Sequence, residues 1–189
     1  MDNNYLRILY RINNRDEIVF VNDEWSQFAV ENEALHLLPD KVLNQSLWKF
    51  ITHSTTEFLY REIIKKVRAG QIMKFNIRCD SPTMRRIAAI TISSPDNDGE
   101  VQFATRTLWT ERREAQVQFT NETTLAECML IICSWCKKVN VGKEIWAEVE
   151  EAITILGLFE LENLPPQSHG ICNLCYREMS EKLEKRQTA

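Results

Sequence analysis

Two cysteine pairs with one spacing, Cys133-Ser-Trp-Cys136 and Cys172-Asn-Leu-Cys175, are the residues of this chain best suited to chemistry. A C-x-x-C turn lets two thiolates converge on one ion, and two such turns complete the tetrahedron that zinc prefers. A single pair also serves disulfide exchange, where one exposed pair follows a strand. The duplication points instead to a four-thiolate site formed by Cys133, Cys136, Cys172 and Cys175. Zinc is the expected ion and iron the competitor, because ligand type does not separate them. A zinc site that releases its metal on oxidation would join the two chemistries.

The neighbours of these pairs have simpler expected roles. His169 precedes the second pair, but four thiolates already fill a tetrahedron. A hydrogen bond beside the metal or plain loop packing is expected of it. Trp135 and Trp146 are expected to shield sulfur from water, and Lys137-Lys138 to form a solvated edge that offsets thiolate charge. Structural zinc sites supply on the order of 10 kcal/mol of folding energy, so the whole C-terminal unit should depend on the ion.

The remaining chemistry is sparse. The net charge of -4 disfavours a broad nucleic-acid surface, which needs a basic field. The N-terminal residues lack a cationic segment followed by an apolar run, and no stretch is long and apolar enough to span a membrane. A cytoplasmic location is expected, where thiols stay reduced and metal ligation is favoured over disulfides. Of the six cysteines, Cys79 and Cys128 fall outside the pairs and read as small apolar residues. No phosphate-cradling G-x-x-x-x-G-K-[ST], H-E-x-x-H or G-x-S-x-G motif occurs, which weighs against an enzyme.

The elements that must position these residues follow from periodicity. Residues 5–13 and 17–22 read as a hairpin around Asn13-Asn14-Arg15-Asp16. A short helix follows, capped by Asn22 or Asp23, with Trp25, Phe28 and Ala29 on its apolar face. Residues 33–44 show no period, and Leu47, Trp48, Phe50 and Ile51 form an anchoring cluster. Ser54-Thr55-Thr56-Glu57 fits a capping box for a helix carrying Tyr60, Ile63, Ile64 and Val67, which Gly70 stops. Three strands then run over 73–79, 85–93 and 101–109. In the last third, Ile145, Val149, Ala152, Ile153 and Leu156 predict an amphipathic helix. A final helix starts near Cys172, with Cys175, Met179 and Leu183 on one side. The fold class is therefore α+β: a five-stranded antiparallel sheet with short helices, followed by a small helical metal-binding unit. The expected boundaries are 1–110, a connector over 111–127, and 128–189.

Two strands, short helices and three antiparallel strands is the element order of PAS domains. The text over about Tyr5 to Trp109 resembles that family, in Glu17-Ile-Val-Phe-Val-Asn-Asp-Glu-Trp25 and Val42-Leu-Asn-Gln-Ser-Leu-Trp-Lys-Phe-Ile51. The words Ile132-Cys-Ser-Trp-Cys-Lys-Lys-Val139 and Ser168-His-Gly-Ile-Cys-Asn-Leu-Cys175 resemble a cysteine segment that ends some bacterial signalling proteins. The resemblance implies a place in bacterial signalling and no defined reaction. It also implies a cavity over the sheet, with Trp25, Phe28, Trp48, Phe50, Phe58 and Phe75 as candidate lining; the alternative is a filled core. The cysteine of the flavin photoreceptor branch has no counterpart over 44–50. Haem would need an axial His36, which falls in the irregular segment, or His53, which reads as a capping or surface residue.

Three functions compete at this point. The first is a non-enzymatic sensor or interaction module with a structural zinc site, acting through a protein partner or a homodimer, with a small-molecule ligand as a further option. The second is a redox or metal sensor whose input is the thiolates. The third is an enzyme with an unfamiliar site in the cavity.

Overall fold

The apolar alternation of the N-terminal strands resolves into one sheet in a computed structural model, which describes residues 7–51, 53–80, 84–95, 99–112, 129–158 and 165–184. Its strands are β1 (Arg7–Ile12), β2 (Ile18–Val21), β3 (Met73–Arg78), β4 (Met84–Ser93) and β5 (Val101–Arg112), all antiparallel in the order β2-β1-β5-β4-β3. Side chains two apart share a face, so Ile12, Met73, Phe75, Ala88, Ile90, Ile92, Val101 and Phe103 all enter the core. Tyr10 pairs with Phe103 across β1 and β5, and their rings stack at 4.5 Å.

The segment between β2 and β3 covers that face. Helix α1 (Asp23–Glu31) starts at Asn22, whose Oδ1 accepts from Trp25 N at 3.1 Å and from Leu9 N at 3.0 Å. One amide thus caps the helix and ties it to β1. Residues 33–44, expected to be irregular, contain a 3-10 turn (Leu35–Leu37) and the short helix α2 (Pro39–Val42). Pro39 opens α2 at a position where the missing N–H has no cost. Asn44 and Gln45 then bond back to Ile18, and a second 3-10 turn (Leu47–Lys49) follows. Helix α3 (Ser54–Arg68) buries Leu59, Ile63, Ile64 and Val67 on the sheet. Each such burial contributes about 2 kcal/mol, so packing rather than propensity holds the helix. Gly70 stops it at φ 88°, a left-handed conformation that suits glycine.

The expected capping box does not form. The helix begins with Ser54 already inside it and His53 at the cap, which makes no side-chain bond. Glu57 instead bonds Arg61 one turn on, at 2.8 Å.

The C-terminal unit carries a second sheet beside its helices. Strands β6 (Leu130–Cys133), β7 (Val139–Asn140), β8 (Trp146–Ala147) and β9 (Gln167–Gly170) lie in the order β8-β7-β6-β9. Helix α4 (Val149–Ile155) covers it, and α5 (Asn173–Glu184) closes the described chain. The helix predicted to include Ile145 starts only at Val149. Gly142, Lys143 and Glu144 have φ of 109°, 48° and 60°. Those values break a helix and turn the chain into a hairpin, with Val141 N donating to Ile145 O at 2.9 Å. Ile145 is exposed, while Ala152, Ile153 and Leu158 pack with Leu130 and Val139. The connector beyond Arg112 and Cys128 lie outside the described residues.

The unit packs on the first sheet, and the two share hydrophobic contacts. Trp135, Met179 and Leu183 belong to the same contiguous core as Leu59, Phe75 and Phe103. Trp135 lies 5.2 Å from the Phe75 ring and 6.2 Å from that of Tyr60. Strand β3 is an edge strand, and pairing such an edge within the chain removes a template for aggregation. Arg78 N donates to Trp135 O there at 2.7 Å.

Candidate metal centre

Parallel pairing of β6 with β9 brings the two cysteine motifs to one place. The register sets Cys133 beside Gly170, so both strands end at the same edge, and Cys172 follows two residues later. After Cys133 the chain makes a tight turn. Lys137 N donates to Cys133 O at 3.1 Å, Cys133 N donates to Lys138 O at 2.8 Å, and Lys137 takes φ 62°. On the other side α5 begins directly after Cys172, and Tyr176 N donates to Cys172 O at 2.9 Å. Cys175 lies in the first turn of α5, three residues from Cys172, where helix geometry keeps both on one face.

The four Sγ atoms lie within 4.8 Å of one another. Among the described residues no other group of three or more His, Cys, Asp or Glu converges in this way. Cys133 and Cys172 are buried, and Cys136 and Cys175 are half-buried. Amides point at the sulfurs: Cys172 N donates to Cys133 Sγ and Cys175 N to Cys172 Sγ, each at 3.4 Å. These bonds and the positive end of α5 favour thiolate over thiol. Hydrogen bonds from Cys136 and Cys175 hold the Cys133 pKa far below the usual thiol range. The same contact with Cys133 pushes Cys136 up to about 12 and raises Cys175. Four sulfurs this close together form a donor set that a soft divalent metal fits.

Gly170 is a site residue that the spacing of cysteines does not reveal. A Cβ there would meet Ile131 Cγ2 at 2.9 Å, closer than packed carbons approach. Its carbonyl accepts from Ser134 N at 2.9 Å, inside the first cysteine pair. The Gly within Ser168-His-Gly-Ile-Cys was the available signal. His169 pairs in register with Ile132 and lies outside the thiolate group. Lys137 Nζ donates to Ser134 O at 3.3 Å, and Lys138 lies 3.9 Å from Glu148.

A cleft of about 730 Å3 opens between the helical cover of the first sheet and the C-terminal unit. Trp25 and Phe50 line it, whereas Phe28, Trp48, Phe58 and Phe75 do not. Trp48 is instead clamped outside, donating to Asp16 Oδ2 at 2.9 Å with Arg61 over its ring at 3.9 Å. Phe58 is 54% exposed, and Phe75 fills core against Trp135. All three histidines, His36, His53 and His169, reach the cleft, and Ser134 and Trp135 complete its wall from the cysteine side.

The observed element order is that of PAS domains: a hairpin, short helices, then three antiparallel strands. The chain is similar to a sensory box sensor histidine kinase from Vibrio cholerae, at 10% identity and a TM-score of 0.37, over 54% of this chain and 81% of that one. It is also similar to a PAS domain from a two-component sensor histidine kinase, at 13% identity and a TM-score of 0.30, over 59% of this chain and 88% of that one. No protein-family model and no curated protein matches the chain. No helix among the described residues is long and apolar enough to cross a membrane.

Proposed function

We propose that this chain is a non-enzymatic signalling module of the cytoplasm. A PAS-like sensor or interaction domain is fastened to a structural four-thiolate zinc unit, and output passes through a partner protein or a second copy. The observation that carries this reading is the convergence of Cys133, Cys136, Cys172 and Cys175 where the C-terminal unit meets the first sheet. A structural role suits a site whose four protein ligands leave no open position for substrate. The domain limits 1–110 and 128–189 are part of the same reading.

The test is metal analysis of freshly purified protein, with a thiol count before and after chelation. One zinc per chain is expected, with four thiols reactive only after chelation; iron in its place would change the ion and keep the site. Cys133→Ser should lose the metal and speed amide exchange across 129–184. A protein that binds no metal, with exchange unchanged in the variant, removes this reading.

A second reading rests on exposure. Cys136 and Cys175 are half-buried, and Cys136 Sγ lies 3.6 Å from Cys172 Sγ. A peroxide reaching them would accept two electrons from this pair, forming a disulfide and leaving as water, and the metal would lose two ligands. Reversible metal loss under mild peroxide, with a change in oligomeric state, would favour this thiol sensor over a purely structural site.

A further inference from the structure

The cleft between the helical cover and the metal unit has a chemical asymmetry that nothing in the metal centre explains. Its floor is apolar and aromatic, from Ile18, Val42 and Leu47 with Tyr10, Tyr60 and Trp135. Lys49 and His36 stand exposed at its mouth. None of the described residues that line it is Asp or Glu. A site with this inventory favours an apolar molecule with a negative end.

The start of α3 shows where that negative end belongs. The helix has 15 residues and no side-chain cap, and His53 at its start and Thr56 in its first turn line the cleft, where a helix N-terminus favours negative charge. Thr56, in that turn, is 4% exposed, and its Oγ1 is buried without a hydrogen-bond partner. His53 Nδ1, at the cap position, is likewise buried and unpartnered. A buried donor left unsatisfied is costly, and a ligand oxygen would recover that energy. The acidic residue of the turn, Glu57, is already paired with Arg61 at 2.7 Å.

We propose that the cleft binds a flat, apolar carboxylic acid. The carboxylate sits at the start of α3, accepting from Thr56 Oγ1 and His53 Nδ1, and the body lies against Trp25, Tyr60 and Trp135. One wall comes from Ser134, Trp135 and His169, on the segments that the thiolates hold. Acid and metal therefore reinforce each other, since whatever orders the shared wall favours both. The inference rests on the reading of the chain as a sensor module and adds the chemical class of its ligand.

The experiment uses the full zinc-loaded chain, with 1-naphthylacetate as probe and its neutral amide as control, followed by calorimetry and tryptophan fluorescence. The acid should bind, and the amide should bind about tenfold more weakly, as expected for one lost hydrogen bond to a charged group. Thr56→Val should weaken the acid by a similar factor, Thr56→Ser should restore it, and His53→Gln provides a second variant if the valine protein melts early. Chelation should also weaken the acid. No binding at millimolar acid, equal affinity for the amide, or no effect of either variant overturns the proposal; affinity indifferent to chelation overturns the coupling. Stoichiometric zinc without acid binding would remove this inference alone, whereas acid binding by a chain that takes no zinc would remove the metal reading and the coupling and keep the acid site.

Discussion

The backbone amide of Arg78, on the edge strand β3, donates to the carbonyl of Trp135, inside the first cysteine pair, at 2.7 Å. The same residue's guanidinium bonds Asp80 and Glu148, and Arg85 reaches Glu150 at 2.7 Å. A strand of the first sheet is thus joined to the first cysteine turn through its backbone and to the segment entering α4 through its side chain. The Arg78 and Asp80 side chains are only 15% and 8% exposed, so this ion pair is shielded from water more than a surface pair.

Arg78→Met should therefore destabilise the chain by about 2–4 kcal/mol, because it takes the guanidinium from the buried Asp80 carboxylate, which keeps the Arg86 amide at 3.1 Å. Urea unfolding measures the loss, and hydrogen exchange should rise in β6 and β9. Arg78→Lys should recover part of it, since an ammonium cannot reproduce the two-sided fork. Unchanged stability in the methionine variant would show that the Arg78 side chain adds nothing to the junction of the two units.

Gly170→Ala tests how tightly the sulfur geometry is set. The added methyl must displace Ile131 or push β9 from β6, at about 1–3 kcal/mol. Zinc affinity, measured by chelator competition, should drop by about tenfold, which corresponds to 1.4 kcal/mol. Ile131→Ala in the same chain should restore it. An affinity that ignores the single substitution would mean that the strands absorb the methyl without moving the cysteines.

Stability at alkaline pH should report on the cleft floor. Burial raises the Tyr10 phenol well above its ordinary value of 10.0, with Tyr60 adding to the effect, and burial raises Tyr60 as well. A raised folded-state pKa means that the unfolded chain releases its proton first. The contribution is complete below the unfolded value and is lost as pH climbs through it toward the folded one. The melting temperature should thus fall above about pH 10, and Tyr10→Phe should fall less steeply. The thiols titrate in both proteins, so the difference isolates the phenol. Parallel curves would place the Tyr10 hydroxyl in contact with water.

Local chemistry made much of this fold legible. Alternation over 73–79 and apolar runs set off by turn residues gave the five strands, Asn22 or Asp23 the start of α1, and Gly70 the end of α3. The matched spacing of the cysteines gave their convergence, because few arrangements use two such turns otherwise. What failed was decided by contacts distant in sequence. Ile145 continues the helical period of Val149, yet the pairing of β8 with β7 and the left-handed residues from Gly142 to Glu144 put it in a hairpin, and the helix starts at Val149. Ser54 to Glu57 reads as a capping box, but the helix starts one residue too early, leaving Thr56 buried against the cleft. Of six aromatics proposed for the cavity, only Trp25 and Phe50 face it, since composition cannot tell which side of a helix meets a sheet.

Parallel alignment of β6 with β9 has a consequence for biosynthesis. Residues 130–133 emerge from the ribosome long before 167–170, their partners, and α5 comes later still. Until then, β3 offers bare amides and the Phe75 surface that Trp135 and Met179 will cover. Contacts of such long sequence separation form slowly. The nascent chain is accordingly most prone to self-association until residues 167–184 have emerged, and a fragment stopped before Cys172 would keep that vulnerability.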